Sequence, residues 1–312
     1  MSQQKAIVGL GELLWDMLPT GARLGGAPAN FTVMAARLGD RGIIASRLGA
    51  DVLGEQAKAY LQTLPAEAIF LQSDSQYATG TVTVSFAHGE PEYEIHQPVA
   101  WDNLVMTPEW RVLAQSADAV CFGTLAQRSN VSRATIQYFL TATRPDCVRI
   151  FDVNLRQSFY GAEVIKASLS RATILKLNET EVPKVLALAA GITNIGQDQA
   201  SLRKAAQSLL SRYPLQLVCI TLGGQGSLLV TRESAHRHHG IASQVADTVG
   251  AGDAFTAALT HYYLQDAPLH VLNEAGNRWG AWVASQPGAM PNLPSETTAA
   301  IGQAIEETEL PT

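Results

Sequence analysis

The segment DTVGAGDAF (residues 247–255) places an acidic residue directly after three of the smallest side chains. Apolar residues then recur at the spacing of one helix face, at Phe255, Ala258, Leu259 and Tyr262. The turn therefore leads into a helix N-terminus, where the first backbone amides lack intrahelical partners and carry the positive end of the helix dipole. Glycine and alanine leave the approach to those amides open, so we expect anionic oxygen to bind there.

Asp253 follows this turn and is predicted to stay ionised at neutral pH, because helix-end amides favour a carboxylate. It would then accept a proton from a hydroxyl beside a bound phosphate, as transfer of a phosphoryl group to an alcohol requires. A simple helix cap is the alternative reading of the same residues. A dinucleotide-binding loop is disfavoured because the third glycine is missing, and no GxxxxGK[ST] motif is present.

Short apolar runs separated by helix-like stretches predict an α/β fold. The runs AIVGLGELL, GIIASRLG, DAVCFGTL, VRIFDVNL, ATILKLN and LQLVCITLGG are typical of parallel strands buried on both faces. Helices are expected after Asp51, after Thr107 and around residues 199–210, with Asp51 capping the first of them. Residues 79–96 instead alternate, which predicts a half-exposed hairpin with a turn at HGEP (residues 88–91).

The bulk composition restricts the possible partners and location. Lys and Arg total 22 against 28 Asp and Glu, a net charge of −6, so we expect no nucleic acid and no anionic membrane as partner. Cys121, Cys147 and Cys219 occur singly in apolar runs, which predicts buried thiols and a cytoplasmic location. No run approaches the roughly 18 apolar residues of a membrane span. The HRHH segment (residues 236–239) is predicted to be a loop without a metal site.

Two distant segments together resemble one family. GGAPANFTVMAARLGDRG (residues 25–42) and DTVGAGDAF are similar to the two signatures of the ribokinase-like sugar kinases, the PfkB family. GADVLGE, FDVNLR, KLNETE, TLGGQGS and GAMPNLPS follow the family's order over almost the whole chain. The resemblance implies a single three-layer α/β/α domain over residues 1–312 with a central, mostly parallel sheet. It also implies a small β-lid from segments near 13–24 and 78–100.

The resemblance implies roles for residues at the reacting end of the site. Asp253 would be the catalytic base, and the amides of Gly250, Ala251 and Gly252 the anion hole. The sugar would be bound by Asp16, Gly25, Gly26 and Asn30, although Asn30 alone would be read as a helix cap. Arg156 is placed to reach a phosphate or a sugar carboxylate, and His96 is a further candidate from the lid.

The same resemblance implies positions for ATP and metal ions. Asn178 and Glu181 match an NxxE motif associated with Mg²⁺ and its waters. Thr221, Gly223 and Gly226 would form the nucleotide-binding turn, with Asn277 beside the adenine. A monovalent cation, K⁺, is expected at Asp247, Val249 and the turn from Gly288 to Asn292.

These observations predict an ATP-dependent sugar kinase that phosphorylates a primary hydroxyl. Fructose is the first candidate, because GELLWDMLP and GGAPAN most resemble the fructokinase branch. Ribose, 2-keto-3-deoxygluconate and a nucleoside remain open, since Val153 and the lid segment GEPEYEIHQP depart from the fructokinase pattern. Two alternatives come from other functional classes: a noncatalytic sugar-sensing protein with this fold, and a dinucleotide-dependent oxidoreductase. The half-exposed hairpin also suggests a homodimer formed through the lid.

Overall fold

The computed structural model describes residues 4–87 and 90–308. Residues 84–87 and 90–93 are described through their backbone, and the predicted turn at HGEP begins outside the described residues. Each of the six apolar runs contains a strand of one large sheet, which confirms the predicted α/β class. That sheet consists of β1 (Ala6–Leu10), β4 (Arg41–Ala45), β9 (Ala119–Phe122), β10 (Val148–Asp152), β11 (Ile174–Asn178), β12 (Leu217–Thr221), β13 (Ser227–Val230) and β14 (Ala235–His238).

The large sheet has the strand order β14-β13-β12-β11-β10-β9-β1-β4. The pairs from β12 through β4 are all parallel, whereas β13 and β14 are added antiparallel at one edge. The HRHH segment was predicted to be a loop, and this prediction is wrong for its first three residues, which belong to β14. The strand is half-buried and polar, so it carries no apolar run that would reveal it.

Helices cover both faces of the large sheet. Alternate strand residues face opposite sides, so Ile7 packs into one apolar core while its neighbour Val8 packs into the other. The Ile7 side is covered by α1 (Ala27–Arg37), α8 (Ala251–Tyr263), α9 (Leu269–Ala284) and α10 (Ser295–Glu306). The Val8 side is covered by α3 (Pro108–Ser116), α4 (Asn130–Ala142), α5 (Ala162–Leu169), α6 (Val182–Ala190) and α7 (Gln199–Arg212). The predicted three-layer α/β/α arrangement is confirmed.

A second sheet of four strands is formed by the two segments predicted to make the lid. Its order is β3-β2-β7-β8, with strands β2 (Leu14–Leu18), β3 (Gly21–Gly25), β7 (Gly80–Ala87) and β8 (Glu90–Ile95). Val82 and Ile95 pair across the hairpin and are buried, whereas the next pair, Thr83 and Glu94, is exposed. This alternation confirms the predicted polar face at those positions. A short parallel pair, β5 (Arg47–Gly49) and β6 (Gln72–Asp74), completes the sheets.

Asp51 caps α2 (Val52–Leu61), as the sequence predicts, and it also ties this helix to the start of the second sheet. Its Oδ1 accepts a hydrogen bond from the Gly54 amide at 2.7 Å, and its Oδ2 accepts one from the Thr79 amide at 2.8 Å. Partial burial opposes the charge, but the hydrogen bonds from Thr79 and Gly54 outweigh it and lower the pKa of Asp51. The carboxylate therefore stabilises the fold above its ordinary pKa and less so in acid.

Replacement of Asp51 by alanine is expected to lower the free energy of unfolding by about 1–3 kcal/mol, because a cap and a buried amide partner are lost together. Urea unfolding at pH 7 measures the loss, which should shrink as the pH falls below about 4. Asp198→Ala is the matched control, since Asp198 caps α7 through Ser201 alone. Equal losses in the two variants would contradict a tie between α2 and Thr79.

Candidate active site

A cavity of about 730 Å³ lies between the carboxyl edge of the large sheet and the second sheet. On one side it is lined by residues at or just after the ends of parallel strands, including Gly123, Asn154, Asn178 and Thr221. On the other side it is lined by Leu14, Asp16, Leu24, Val82 and Ile95 of the second sheet. Open α/β sheets generally bind ligands at this edge.

The GAG turn forms part of the cavity wall and begins α8. Gly250 is the residue preceding the helix and has a φ of 81°, and a Cβ there would lie 2.6 Å from Ala289. Glycine is therefore required both by the backbone conformation and by the close approach of Ala289. Gly250 and Gly252 line the cavity, and within residues 4–87 and 90–308 their amides donate to no protein acceptor.

Ala251 differs from the two glycines on either side of it. Its amide donates to the carbonyl of Thr248 at 3.3 Å, and the residue does not line the cavity. Of the three amides predicted for the anion hole, those of Gly250 and Gly252 therefore remain as candidates. The sequence cannot reveal this, because the turn within residues 248–251 is closed by a backbone hydrogen bond that any residue except proline can make at position 251.

Asp253 lies at the cavity with only 9% of its surface exposed, and its Oδ2 accepts a hydrogen bond of 2.8 Å from Asn30 Nδ2. Burial, reinforced by the nearby carboxylate of Asp152, raises the pKa of Asp253 to about 6. The Asn30 hydrogen bond and the charges of Lys176 and Arg156 oppose that rise. The sequence-based expectation named the helix-end amides as the dominant influence, and here burial outweighs them. Asp253 is still mostly ionised at pH 7.

Lys176 and Asp152 form a buried ion pair under the turn, and the sequence analysis missed both. Lys176 Nζ lies 3.1 Å from each carboxylate oxygen of Asp152, and Thr256 Oγ1 donates to Oδ2 of the same carboxylate. A Cβ on Gly252 would lie 3.0 Å from Lys176 Nζ, so the ammonium lies beside the amides of the turn. Burial favours the neutral amine, but Asp152, Asp253 and Glu181 outweigh it and raise the pKa of Lys176. The sequence signal for Lys176 was that it is the one charged residue in the apolar run ATILKLN.

The predicted sugar-binding residues lie together at one end of the cavity. Gly25, Gly26, Asp16 and Asn30 all line it. Gly26 has a φ of 116°, and a Cβ on it would lie 2.4 Å from the carbonyl oxygen of Glu12. A Cβ on Gly25 would lie 2.8 Å from Asp16 Oδ2. The two glycines therefore let the backbone pass close to a pair of acidic residues.

Glu12 is a further acid at this end, and the sequence analysis did not assign it to the site. It is 5% exposed, and burial raises its pKa to about 7 against hydrogen bonds from the amides of Glu12 and Ala27. Burial also raises the pKa of Asp16, with the charge of Arg156 opposing it. Glu12 interrupts the first apolar run of the chain, and an acid inside such a run was its one visible signal.

Arg156 was predicted from the segment that follows a strand, and His96 was predicted from the lid. Arg156 lines the cavity with its guanidinium exposed, so it supplies positive charge toward Glu12, Asp16 and Asp253. The structure does not bring His96 to the cavity. Its Nε2 hydrogen-bonds to Thr83 Oγ1 at 2.7 Å, on the opposite face of the hairpin from Val82 and Ile95. Strand alternation sets this direction, since Ile95 already points inward.

Asn178 and Glu181, predicted to serve magnesium, adopt different positions. Asn178 lines the cavity, but Glu181 is buried behind it. The two carboxylate oxygens of Glu181 accept hydrogen bonds from the amides of Leu155 at 2.7 Å and Asn178 at 2.9 Å. Glu181 therefore holds two cavity loops together and does not itself reach the cavity. No cluster of three or more His, Cys, Asp or Glu residues suited to a metal occurs in the described part of the chain.

The remaining residues that were predicted to bind the nucleotide do not all line the cavity. Thr221 lines it, whereas Gly223 and Gly226 form the turn between β12 and β13. Gly226 has a φ of 89°, and a Cβ there would collide with the carbonyl of His238. Asn277 lies on α9 in a buried polar cluster, where its Nδ2 donates to Ser227 Oγ and to the Asn273 carbonyl, each at 2.7 Å.

Asp247, Val249 and Gly288, which were predicted to hold a monovalent cation, all line the cavity. Asp247 Oδ1 accepts from the Val249 amide at 3.0 Å and Oδ2 from the Gly288 amide at 3.1 Å. Arg23 of β3 also approaches Asp247 Oδ2, at 3.4 Å, and so brings a positive charge to this carboxylate. Asn292 is exposed and does not line the cavity.

Known proteins share this architecture over nearly the whole chain. A sugar kinase of Pyrococcus horikoshii, solved in complex with ATP, superposes with a TM-score of 0.77 at 25% identity, covering 95% of this chain and 99% of that one. Fructokinase from Xylella fastidiosa, solved with bound ATP, gives a TM-score of 0.82 at 21% identity, covering 97% and 100%. The fold is therefore that of the ribokinase-like sugar kinases.

Sequence comparison narrows this class to one family. The model of the "pfkB family carbohydrate kinase" family matches residues 19–296, and the chain belongs to that family. Fructokinase-1 of Oryza sativa subsp. japonica is 28% identical over 322 aligned positions, which cover 94% of this chain and 96% of that protein. The described residues contain no helix long and apolar enough to cross a bilayer.

Proposed function

We propose that the protein transfers the γ-phosphoryl group of ATP to a primary hydroxyl of a small sugar, with fructose as the first candidate. The observation that carries the proposal is the position of Asp253, buried at the cavity directly after a turn whose glycine amides donate to no acceptor among the described residues. A proton acceptor and an anion-binding turn thereby meet at one point. The ATP-bound kinases of the same fold and the fructokinase relative support the choice of substrates.

Asp253 is the proposed general base. Its carboxylate accepts the proton of the sugar hydroxyl as that oxygen forms its bond to the γ-phosphorus and the bond from phosphorus to the ADP oxygen breaks. The Asn30 amide fixes the orientation of this carboxylate by binding one of its oxygens. Burial excludes water from the same group and keeps its basicity near that of a base suited to neutral pH.

The moving phosphoryl group is proposed to rest against the amides of Gly250 and Gly252, with the Lys176 ammonium beside them. These donors are fixed before the reaction, so they stabilise developing negative charge without reorganisation. Asp152 keeps Lys176 charged and directs it through two hydrogen bonds. The Lys176 role is an addition to the predicted site.

Magnesium bound to ATP would neutralise phosphate charge, and the residues that the structure describes offer it few direct ligands. Of the two residues predicted to serve Mg²⁺, Asn178 lines the cavity. Glu181 would act indirectly, by holding the backbone of Asn178 in place. Mg²⁺ commonly retains several waters and is bound mainly through substrate phosphates, so such a site fits it. Asp247 and the adjacent backbone are the proposed position of a monovalent cation.

The second sheet is proposed to act as the lid over the sugar, since its Leu14, Val82 and Ile95 form an apolar wall of the cavity. A closed wall excludes water that would otherwise compete for the phosphoryl group. The edge strands β3 and β8 of this sheet are also the proposed contact of a homodimer. We infer a cytoplasmic location from the three free thiols, Cys121, Cys147 and Cys219, which are all buried.

An ATP-consumption screen across ketoses, pentoses, keto-deoxy acids and nucleosides tests the proposed function. We expect sugar-dependent formation of ADP with at least one of them, and the highest kcat/KM with fructose. A different preferred sugar would correct the substrate and leave the reaction class standing. A protein that binds sugars but forms no ADP with any of them would be a sensor, and one stabilised by NAD more than by ATP would be an oxidoreductase.

The pH dependence of kcat/KM is expected to report Asp253. The base must be ionised, so activity should fall as the pH decreases through about 6, the value to which burial raises its pKa. Steady-state rates between pH 5 and 8, with saturating ATP and Mg²⁺, measure this limb. A rate that stays constant down to pH 4.5 would contradict an essential carboxylate with a raised pKa.

A further inference from the structure

Glu12 carries a buried oxygen that has no hydrogen-bond partner. Within the described residues its Oε2 is inaccessible and unpaired, although the residue lines the cavity. Asn30 Oδ1, at the same end of the cavity, is also buried and has no hydrogen-bond partner among the described residues. A buried polar atom without a partner costs about 1–3 kcal/mol, so native proteins rarely leave one unless it serves a ligand.

The position of Glu12 directs its carboxyl group toward the sugar end of the site. It follows the carboxyl end of β1, and the nearby backbone amides of Glu12 itself and of Ala27, at the start of α1, favour the charged form of its carboxyl group. The charged groups that act on it are Arg156 and Asp253, both of which line the cavity. No basic side chain of β1 or α1 pairs with it in the part of the chain that the structure describes.

The chemistry of this end selects the kind of ligand. Asp253 and the free atom of Asn30 accept hydrogen bonds, whereas Glu12, whose pKa burial raises to about 7, can accept or donate one. A ligand with hydroxyl groups fits this end, because each hydroxyl both donates and accepts. A neutral polyol provides several donors without charge.

Resting on the proposed function, we propose that Glu12 binds a sugar hydroxyl other than the one that Asp253 deprotonates. This contact makes Glu12 a specificity-determining residue, because a sugar that lacks the hydroxyl leaves Oε2 buried and unpaired. The free-energy cost of this unpaired oxygen then lowers kcat/KM for the substrate that lacks the hydroxyl, as in other sites built to bind a substrate hydroxyl.

The test compares Glu12→Ala with the wild-type protein on the best sugar of the screen above and on its monodeoxy derivatives. In the wild-type protein, one derivative should lose about 10-fold or more in kcat/KM. Glu12→Ala should lose a similar factor on the parent sugar, with the KM for ATP within about twofold, and should no longer distinguish that derivative from the parent. Glu55→Gln, an exposed acid on α2, is the matched control and should behave as the wild type.

Folding is verified by the thermal stabilisation that saturating ATP gives each variant, and Glu12→Gln, which keeps the side-chain size, provides a second variant if Glu12→Ala is unstable. Unchanged discrimination among all the derivatives in both variants would overturn the role of Glu12 while the kinase activity stands. A wild-type protein that phosphorylates no sugar would instead overturn the proposed function.

Discussion

Replacement of Asp253 by asparagine is expected to reduce kcat at least about 100-fold, the scale typical of a missing general base. Asparagine has nearly the same size and can retain the hydrogen bond to Asn30 if its carbonyl oxygen faces Asn30 Nδ2. The variant should therefore fold and bind ATP and sugar as the wild type does. Steady-state turnover, together with calorimetric titration of both ligands, separates the loss of proton transfer from a loss of binding.

The same variant is also expected to unfold at a higher temperature at pH 8. Because burial raises the pKa of Asp253 to about 6, the native state binds the proton more tightly than the unfolded state, and ionisation above that pH destabilises the fold. Asparagine carries no charge and avoids this cost. Glu163→Gln, at an exposed site, is the control.

The turnover of Asp253→Asn decides the catalytic part of the prediction. Near-normal turnover in this variant would show that Asp253 is not the general base.

Replacement of Lys176 by methionine is expected to lower kcat by about 100-fold, because one preorganised donor to the moving phosphoryl group is lost. It should also destabilise the fold by about 3–5 kcal/mol, since Asp152 is left as a buried charge without its partner. Urea unfolding and turnover at saturating substrates measure the two effects. The exposed Lys184→Met on α6 is the matched control.

A double variant distinguishes catalysis from folding in this prediction. Lys176→Met combined with Asp152→Asn removes both charges, so much of the stability should return while the activity stays low. If the double variant regains turnover near that of the wild type, Lys176 serves the fold alone. The comparison depends on the two residues being direct partners, which their 3.1 Å contacts establish.

The main architecture was predictable because its signals are local. An apolar run such as VRIFDVNL has no polar face and therefore fits a strand covered on both sides, where β10 lies. Asp51 accepts a hydrogen bond from the Gly54 amide and so caps its helix as predicted. A helix also follows Thr107 as predicted, and Thr107 caps it by accepting a hydrogen bond from the Trp110 amide. The polar edge strand β14 lacked such a signal, because its stability comes from pairing with β13.

The residues of the candidate site were predictable where a backbone turn fixes them, as at Gly250 and Gly26. The directions of side chains were less predictable than the turns. His96 points away from the cavity because Ile95 points in, and Glu181 is held by two backbone amides. Lys176 and Glu12 were missed because a charge becomes informative only when it is seen to be buried. That burial depends on segments far apart in the chain.

The most direct test of the account is a crystal structure of the protein with the preferred sugar and a non-hydrolysable ATP analogue. The account predicts one sugar hydroxyl within about 2.6–3.2 Å of the Asp253 carboxylate. It also predicts that the terminal phosphate lies against the amides of Gly250 and Gly252. A sugar hydroxyl that faces the phosphate with Asp253 out of reach, or a phosphate bound away from this turn, would contradict it.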